Sequence, residues 1–225
     1  MSDIAADPVD ALRTGLLDAI VNDLGPALVG SHLQVGDDLW IRVTRDSWVE
    51  TFTYLKTKHG CTWFDFLSAI DWLPSPFGRS MDSEVDNVIA GRASVAVTGP
   101  SGGSPSYQTG TAGGETRFQM LARVYNIDRH FGITVKADLP DDDVSIATLI
   151  PVFPGANWHE REAWEMFGIS FAGHPDQRHL YVPTDFEGNP RRKDFPLIAR
   201  MVKPWPGIVD VEQMPGESAE EGGEE

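Results

Sequence analysis

One cysteine, Cys61, stands in a chain of 225 residues. A lone thiol makes no internal disulfide, which fits a reducing compartment. It also cannot supply the set of thiolates that holds an iron–sulfur cluster. If the chain serves electron transfer, other chains carry the electrons. Positive charge is scarce as well: 18 Lys and Arg against 34 Asp and Glu leave a formal net charge of −16. Nucleic-acid binding needs clustered Lys and Arg to neutralise phosphates, so that class of partner is excluded. Long apolar runs are missing too. The apolar uncharged run Val144 to Trp158 contains Pro151 and Pro154 and falls short of the ~20 residues that span a bilayer. The first residues are acidic and lack the basic-then-apolar order of a signal peptide. Any membrane association is therefore expected to run through partners.

What is present is a globular composition, 41% hydrophobic and 10% aromatic, with material for one good core plus tails. Asp7-Pro8 suits the opening of a helix, and Leu12, Leu16, Ile20 and Leu24 form its apolar stripe up to Gly25-Pro26. Leu39, Ile41 and Val43 alternate with Trp40, Arg42 and Thr44, the period of a half-buried strand. Ser47 and Glu50 have capping-box spacing before a helix with Trp48, Val49, Phe52 and Leu55 on its apolar face, ending near Gly60. Thr62 to Asp71 reads as an aromatic core strand. Residues 74–115 break the pattern. The stretch from Gly99 to Gly114, GPSGGSPSYQTGTAGG, has too little apolar area to offset its ordering entropy, so the segment reads as an insertion, either mobile or pinned by a neighbour. Within it, Val85 to Val97 fits a short strand or a helix.

Strand alternation then resumes. Phe118, Met120, Ala122 and Val124 alternate with Arg117, Gln119, Leu121 and Arg123; Ile133, Val135 and Ala137 alternate with Thr134, Lys136 and Asp138. Asn126 to His130 is short enough for the turn of a hairpin. Asp141, Asp142 and Asp143 are placed to cap a short helical stretch through Ile150. The order of elements predicts an α+β fold: a mixed, largely antiparallel sheet with helices mainly on one face, followed by an extended C-terminal segment. Residues 1–73 and 116–200 would form a single domain. Residues 201–225 read as an acidic, disordered tail, with Asp210, Glu212, Glu217, Glu220, Glu221, Glu224 and Glu225 and no cation past Pro204.

The densest stretch runs from Asn157 to Pro196. Asn157 suits an N-cap, with Glu160 at capping-box spacing and Gly168 at the left-handed C-terminal position. Ala163, Trp164, Met166 and Phe167 share an apolar arc, while Arg161, Glu162 and Glu165 fall opposite. Glu160 is the misfit on that arc. It either caps the first turn and meets the helix dipole, or is a buried carboxylate awaiting a cation. Gly173-His174-Pro175 and Gly188-Asn189-Pro190 make the following chain stiff without being regular. They display Arg178 and the run Arg191, Arg192, Lys193 just after the turns. Such segments serve recognition, although charge runs also decorate plain surface.

Glu160–Ile169 (EREAWEMFGI), Phe171–Pro175 (FAGHP) and Asp185–Asp194 (DFEGNPRRKD) closely resemble the signature of the 30 kDa subunit family of respiratory complex I, the bacterial NADH:quinone oxidoreductase. A fainter likeness covers Phe64 to Trp72. Glu165, Phe186 and Asn189 depart from the family's more usual Asp, Trp and His, and Gln177 and His179 interrupt a usual Leu-Arg-Arg run. The resemblance implies a non-redox structural subunit of the peripheral arm, on the cytoplasmic side of the cell membrane. It would bind no cofactor; NADH, FMN, Fe–S clusters and quinone would be carried by other subunits. The implied partners are the quinone-site 49 kDa-type subunit and adjacent Fe–S subunits. The residues singled out as candidate contacts with those partners are Glu160, Arg161, Glu162, His174, Arg178, Arg191, Arg192, Lys193 and Asp194. Ferredoxin, coenzyme F420 or hydrogen replaces NADH as donor in relatives of such complexes.

Two rival readings remain. A metal-dependent hydrolase could draw on His159, His174 and His179 with Glu162 and Asp176, but Ala163 stands where a zincin helix needs its second histidine. A stand-alone adaptor could use the acidic tail. No Gly-x-Ser-x-Gly elbow and no Gly-rich phosphate loop after a strand is present.

Overall fold

The computed structural model describes residues 8–74, 107 and 109–195. Asp7, the stretch from Val85 to Val97 and the tail 201–225 lie outside them. Helix α1, Pro8–Leu24, runs into a single 3-10 turn at Gly25–Ala27 and strand β1, Leu28–His32. Strand β2, Leu39–Val43, leads to helix α2, Trp48–Lys58, and the long strand β3, Trp63–Asp71. Strands β4, Phe118–Asn126, and β5, Phe131–Leu139, form the expected hairpin. A short strand β6, Ser145–Ala147, precedes helix α3, Ala156–Phe167, and strand β7, Ser170–Ala172.

The main sheet has the order β1-β2-β5-β4-β3, antiparallel throughout except that β2 runs parallel to β5. Side chains alternate across a sheet, and the register lines them up in rows. Ile41, Val135, Ala122 and Leu67 form one row on the core face. Leu16 and Ile20 of α1, Trp48, Phe52 and Leu55 of α2, and Ala163 and Phe167 of α3 join that core. Trp48 meets Phe52 edge-on at 4.8 Å, and Phe153 bridges Phe52 to Phe64. The expected α+β architecture is therefore the observed one.

The other face of the sheet is polar yet also covered. Arg42, Lys136 and Leu121 lie in one row and Asp138 and Gln119 in the next. Arg42 pairs with Asp138, and Arg123 pairs with Asp38 at 2.6 Å. Residues 109–115, the end of the expected insertion, are pinned across this face by Arg42, Lys136 and Gln119. Gly110 and Gly114 permit the close approach: a Cβ on Gly114 would stand 1.9 Å from Gln119 Nε2, and one on Gly110 would meet the Trp72 ring at 3.1 Å.

Two local expectations fail. Asp141–Asp143 starts no helix. Asp143 accepts from Ser145 Oγ and Arg45 at 2.7 Å each, and the chain then extends as β6 because β7 pairs with it in parallel, Ile146 beside Phe171. Ser47 precedes α2 but makes no side-chain cap. The 3-10 turn Arg45–Ser47 starts the helix instead, and Ser47 Oγ accepts from Thr44 at 2.8 Å. Among the described residues no helix is long and apolar enough to cross a membrane.

Candidate functional site

Helix α3 begins two residues earlier than its sequence implies. Gly155 stands at the N-cap without a side-chain cap, so Asn157 lies inside the first turn and the expected capping box does not form. Glu160 instead points inward, fully buried, where it accepts from Thr148 Oγ1 and the Leu149 amide at 2.6 Å each. The buried carboxylate is there, but a hydroxyl and an amide hold it, and among the described residues no cation does. Burial outweighs both bonds and pushes its pKa up to about 7. At the other end Gly168 takes the left-handed cap, φ 70°, as its position predicts.

Arg161 and Glu165, expected on the solvated side, are buried. The reason lies downstream: the loop that follows β7 folds back over this face of α3. Arg161 donates to the carbonyls of Arg178 and His179, both at 3.0 Å. Glu165 gathers the amides of Leu180, Tyr181 and Val182, with Leu180 N at 2.9 Å, and His179 Nδ1 lies 3.4 Å away. Burial works to raise the Glu165 pKa, yet these donors together hold it below the usual carboxylate range.

The last carbonyls of α3, which lack partners within the helix, are taken by the second turn of the loop. Asn189 Nδ2 donates to Glu165 O at 2.9 Å, the Arg191 amide to Met166 O at 3.0 Å, and Arg192 Nε to Phe167 O at 2.6 Å. Arg192 also lies over the Phe118 ring, 5.1 Å from its centre, a cation where the helix dipole favours one. Gly168 leaves room for this: a Cβ there would stand 2.5 Å from Arg192 and 2.7 Å from Asn189.

The structure therefore sorts the candidate contacts. Glu160 and Arg161 are interior. Glu162 pairs with Arg191 at 3.2 Å. Asp194 orients Arg117 at 2.9 Å, not a member of the 191–193 cluster, and Asp71 holds the same guanidinium from the sheet side. Lys193 gives its amide to Asp71 at 2.8 Å while its side chain stays exposed. His174 accepts the Asp176 amide at 3.0 Å, and Arg178 stands out into solvent beside Asp176. Tyr181, Phe186 and Trp158 are exposed as well. A cleft of about 380 Å³ opens beside Asp71, Trp72, Phe167, Arg191 and Lys193.

Among the described residues no group of three His, Cys, Asp or Glu side chains converges on a metal position. His159 packs edge-on against Phe64, and the His179 ring lies tilted against Trp164. Three residues that matter here, Glu165, Asn189 and Asp71, carried no expected role. Glu165 stood on the expected polar side of its helix and Asn189 in a turn, both departing from a family pattern, and Asp71 was the polar end of a core strand.

Residues 41–201 match the family model for the respiratory-chain NADH dehydrogenase 30 kDa subunit. The C/D subunit of the NADH-quinone oxidoreductase of Cronobacter sakazakii is 43% identical over 88 residues, 39% of this chain and 15% of that protein. The namesake of Buchnera aphidicola is 44% identical over 85 residues, 38% of this chain and 14% of that protein. The matched stretch thus spans about a seventh of those relatives. A trypsin-resistant fragment of Nqo5 aligns with TM-score 0.50 at 18% identity, covering 73% of this chain and 98% of the fragment. A chain of the membrane-bound sulfane sulfur reductase, an archaeal respiratory membrane complex, aligns with TM-score 0.55 at 17% identity, covering 83% and 86%. At these identities the likeness is one of fold.

Proposed function

The chain belongs to the family of the respiratory-chain NADH dehydrogenase 30 kDa subunit, and from that premise we propose that it is a non-redox structural subunit in the peripheral arm of an NADH:quinone oxidoreductase. It docks against the 49 kDa-type quinone-site subunit and neighbouring Fe–S subunits, on the cytoplasmic side of the membrane, and has no catalytic activity of its own. The matched relatives bear the double designation C/D, which supports a close association with a neighbouring component of the complex.

The observation that carries the reading is how the charged groups around α3 are used. Arg161, Glu165, Asn189 and Arg192 all bond within the chain and fix the loop 178–192. On this frame Arg178 and Tyr181 remain exposed. A loop ordered in advance loses little entropy on docking, so its contacts convert more fully into affinity.

The test is the double variant Arg178→Ala, Tyr181→Ala. Its isolated melting curve should match the parent, while native gels of cells making the complex should show less incorporation and less quinone reductase activity. Normal assembly would return this loop to plain surface. The isolated protein should also hold no iron and show no visible redox spectrum; stoichiometric iron in a carefully purified sample would overturn the non-redox role.

A further inference from the structure

Lys136, on β5, is 1% exposed, yet among the described residues no carboxylate lies within ion-pair reach of its ammonium. Its Nζ donates instead to Thr111 O at 2.8 Å and Gly113 O at 3.0 Å, and stands 5.5 Å from the centre of the Trp72 ring. Asp138, on the same strand, spends its oxygens on Arg42 and Gln119.

The two carbonyls belong to a strap, Thr109–Glu115, gripped from three strands. Arg42 of β2 donates to Ala112 O at 3.2 Å, Gln119 of β4 to Gly113 O at 3.0 Å, and Lys136 of β5 lies between them. The strap closes on itself through Gly113 N to Gly110 O at 2.9 Å and Thr109 Oγ1 to Gly114 O at 3.1 Å. Left-handed backbone at Ala112, φ 62°, and Gly113, φ 71°, shapes its turn.

Neutral carbonyls replace water poorly around a full charge, and a buried cation without a counter-charge is costly. A neutral amine loses less on burial and still has N–H groups for both carbonyls. We propose that the Thr109–Glu115 strap is a pH-responsive cover, which loosens when Lys136 carries its proton and tightens when it does not.

The groups facing Lys136 fit this sense. Burial weighs most and lowers its pKa to about 8, Arg42 acts in the same direction, and Asp138 opposes them. Glu115, on the strap, lies 3.6 Å from Arg42; Gln119 and Trp72 are neutral. Because the closed strap binds the proton less tightly than the open one, closure gains as pH rises through 8 and stops gaining near the free-lysine value of 10.5.

Hydrogen exchange on the full-length protein tests it. Protection of the Gly113 amide, corrected for intrinsic rate, should rise about tenfold between pH 7 and pH 9. In Lys136→Met the profile should be flat, because nothing titrates. Lys136→Arg, which keeps its charge, should also be flat and should stay at or below the parent's protection at pH 7. A flat profile in the parent protein overturns the proposal, as does a tenfold rise that survives in either variant. Should Lys136→Met fail to fold, the parent and arginine profiles decide alone.

Discussion

Helix α3 buries two carboxylates in opposite ways. Glu160 faces the β6 side with one hydroxyl and one amide, and its pKa rises to about 7. Glu165 faces the returning loop with three amides donating to it and His179 Nδ1 3.4 Å away, and its pKa falls. Both are essentially removed from solvent. Low exposure alone therefore does not set the charge of an interior carboxylate; how deeply it lies and how many donors are aimed at it decide together. Glu165 serves as a fixed anion that shapes a loop, whereas Glu160 is a packing group whose charge depends on the medium.

The sharpest way to break the comparison is Glu165→Ala. It strands the amides of Leu180, Tyr181 and Val182 and should cost about 3 kcal/mol or more in urea unfolding, with faster exchange at those amides. A cost below about 1 kcal/mol would mean that water replaces the carboxylate freely. Glu160→Gln separates the two sites by pH. A carboxyl whose folded pKa is raised, here from 4.5 to about 7, contributes stability fully present below about pH 4.5 and lost as pH rises through about 7. The parent protein should therefore lose about 2 kcal/mol relative to the glutamine variant between pH 5 and pH 8. Parallel curves would place the Glu160 pKa in the ordinary range. Arg192→Ala removes a charged donor from Phe167 O and should cost about 1.5 kcal/mol in the isolated chain. Retention of full stability would return Arg192 to the role of a free docking cation. Smallest in stability is the pair Arg178→Ala, Tyr181→Ala, within about 0.5 kcal/mol as for exposed substitutions; its effect belongs to assembly.

Regular elements were readable wherever side-chain period and burial agree. The alternation through Leu39–Val43, Phe118–Val124 and Ile133–Ala137 marked core strands, and Leu12 to Leu24 marked α1, because one face of each meets the core. Asp141–Asp143 misled because local capping chemistry looks the same before a turn and before a helix, and the partner strand β7 lies far along the chain. Arg161 and Glu165 misled for a related reason. A helical wheel knows only one buried face, and here the loop supplies a second. The strand end at Asp71 and the basic run 191–193 were each visible alone; that Arg117 and Asp194 join them depends on tertiary packing.

Neighbouring antiparallel strands β3 and β4 are joined by the whole stretch from Trp72 to Arg117, while β4 and β5 are joined by a short turn. This inequality bears on the order in which the chain finds its shape. The β4–β5 hairpin needs only local closure and can form early; β3 and β2 must then search for its two sides over longer distances. The cost of that search grows only logarithmically, about 0.6 kcal/mol for each doubling of a flexible connection. Halving the stretch between Trp72 and Thr109 should therefore speed refolding by no more than about threefold, whereas a lesion in the Asn126–Phe131 turn should slow it far more.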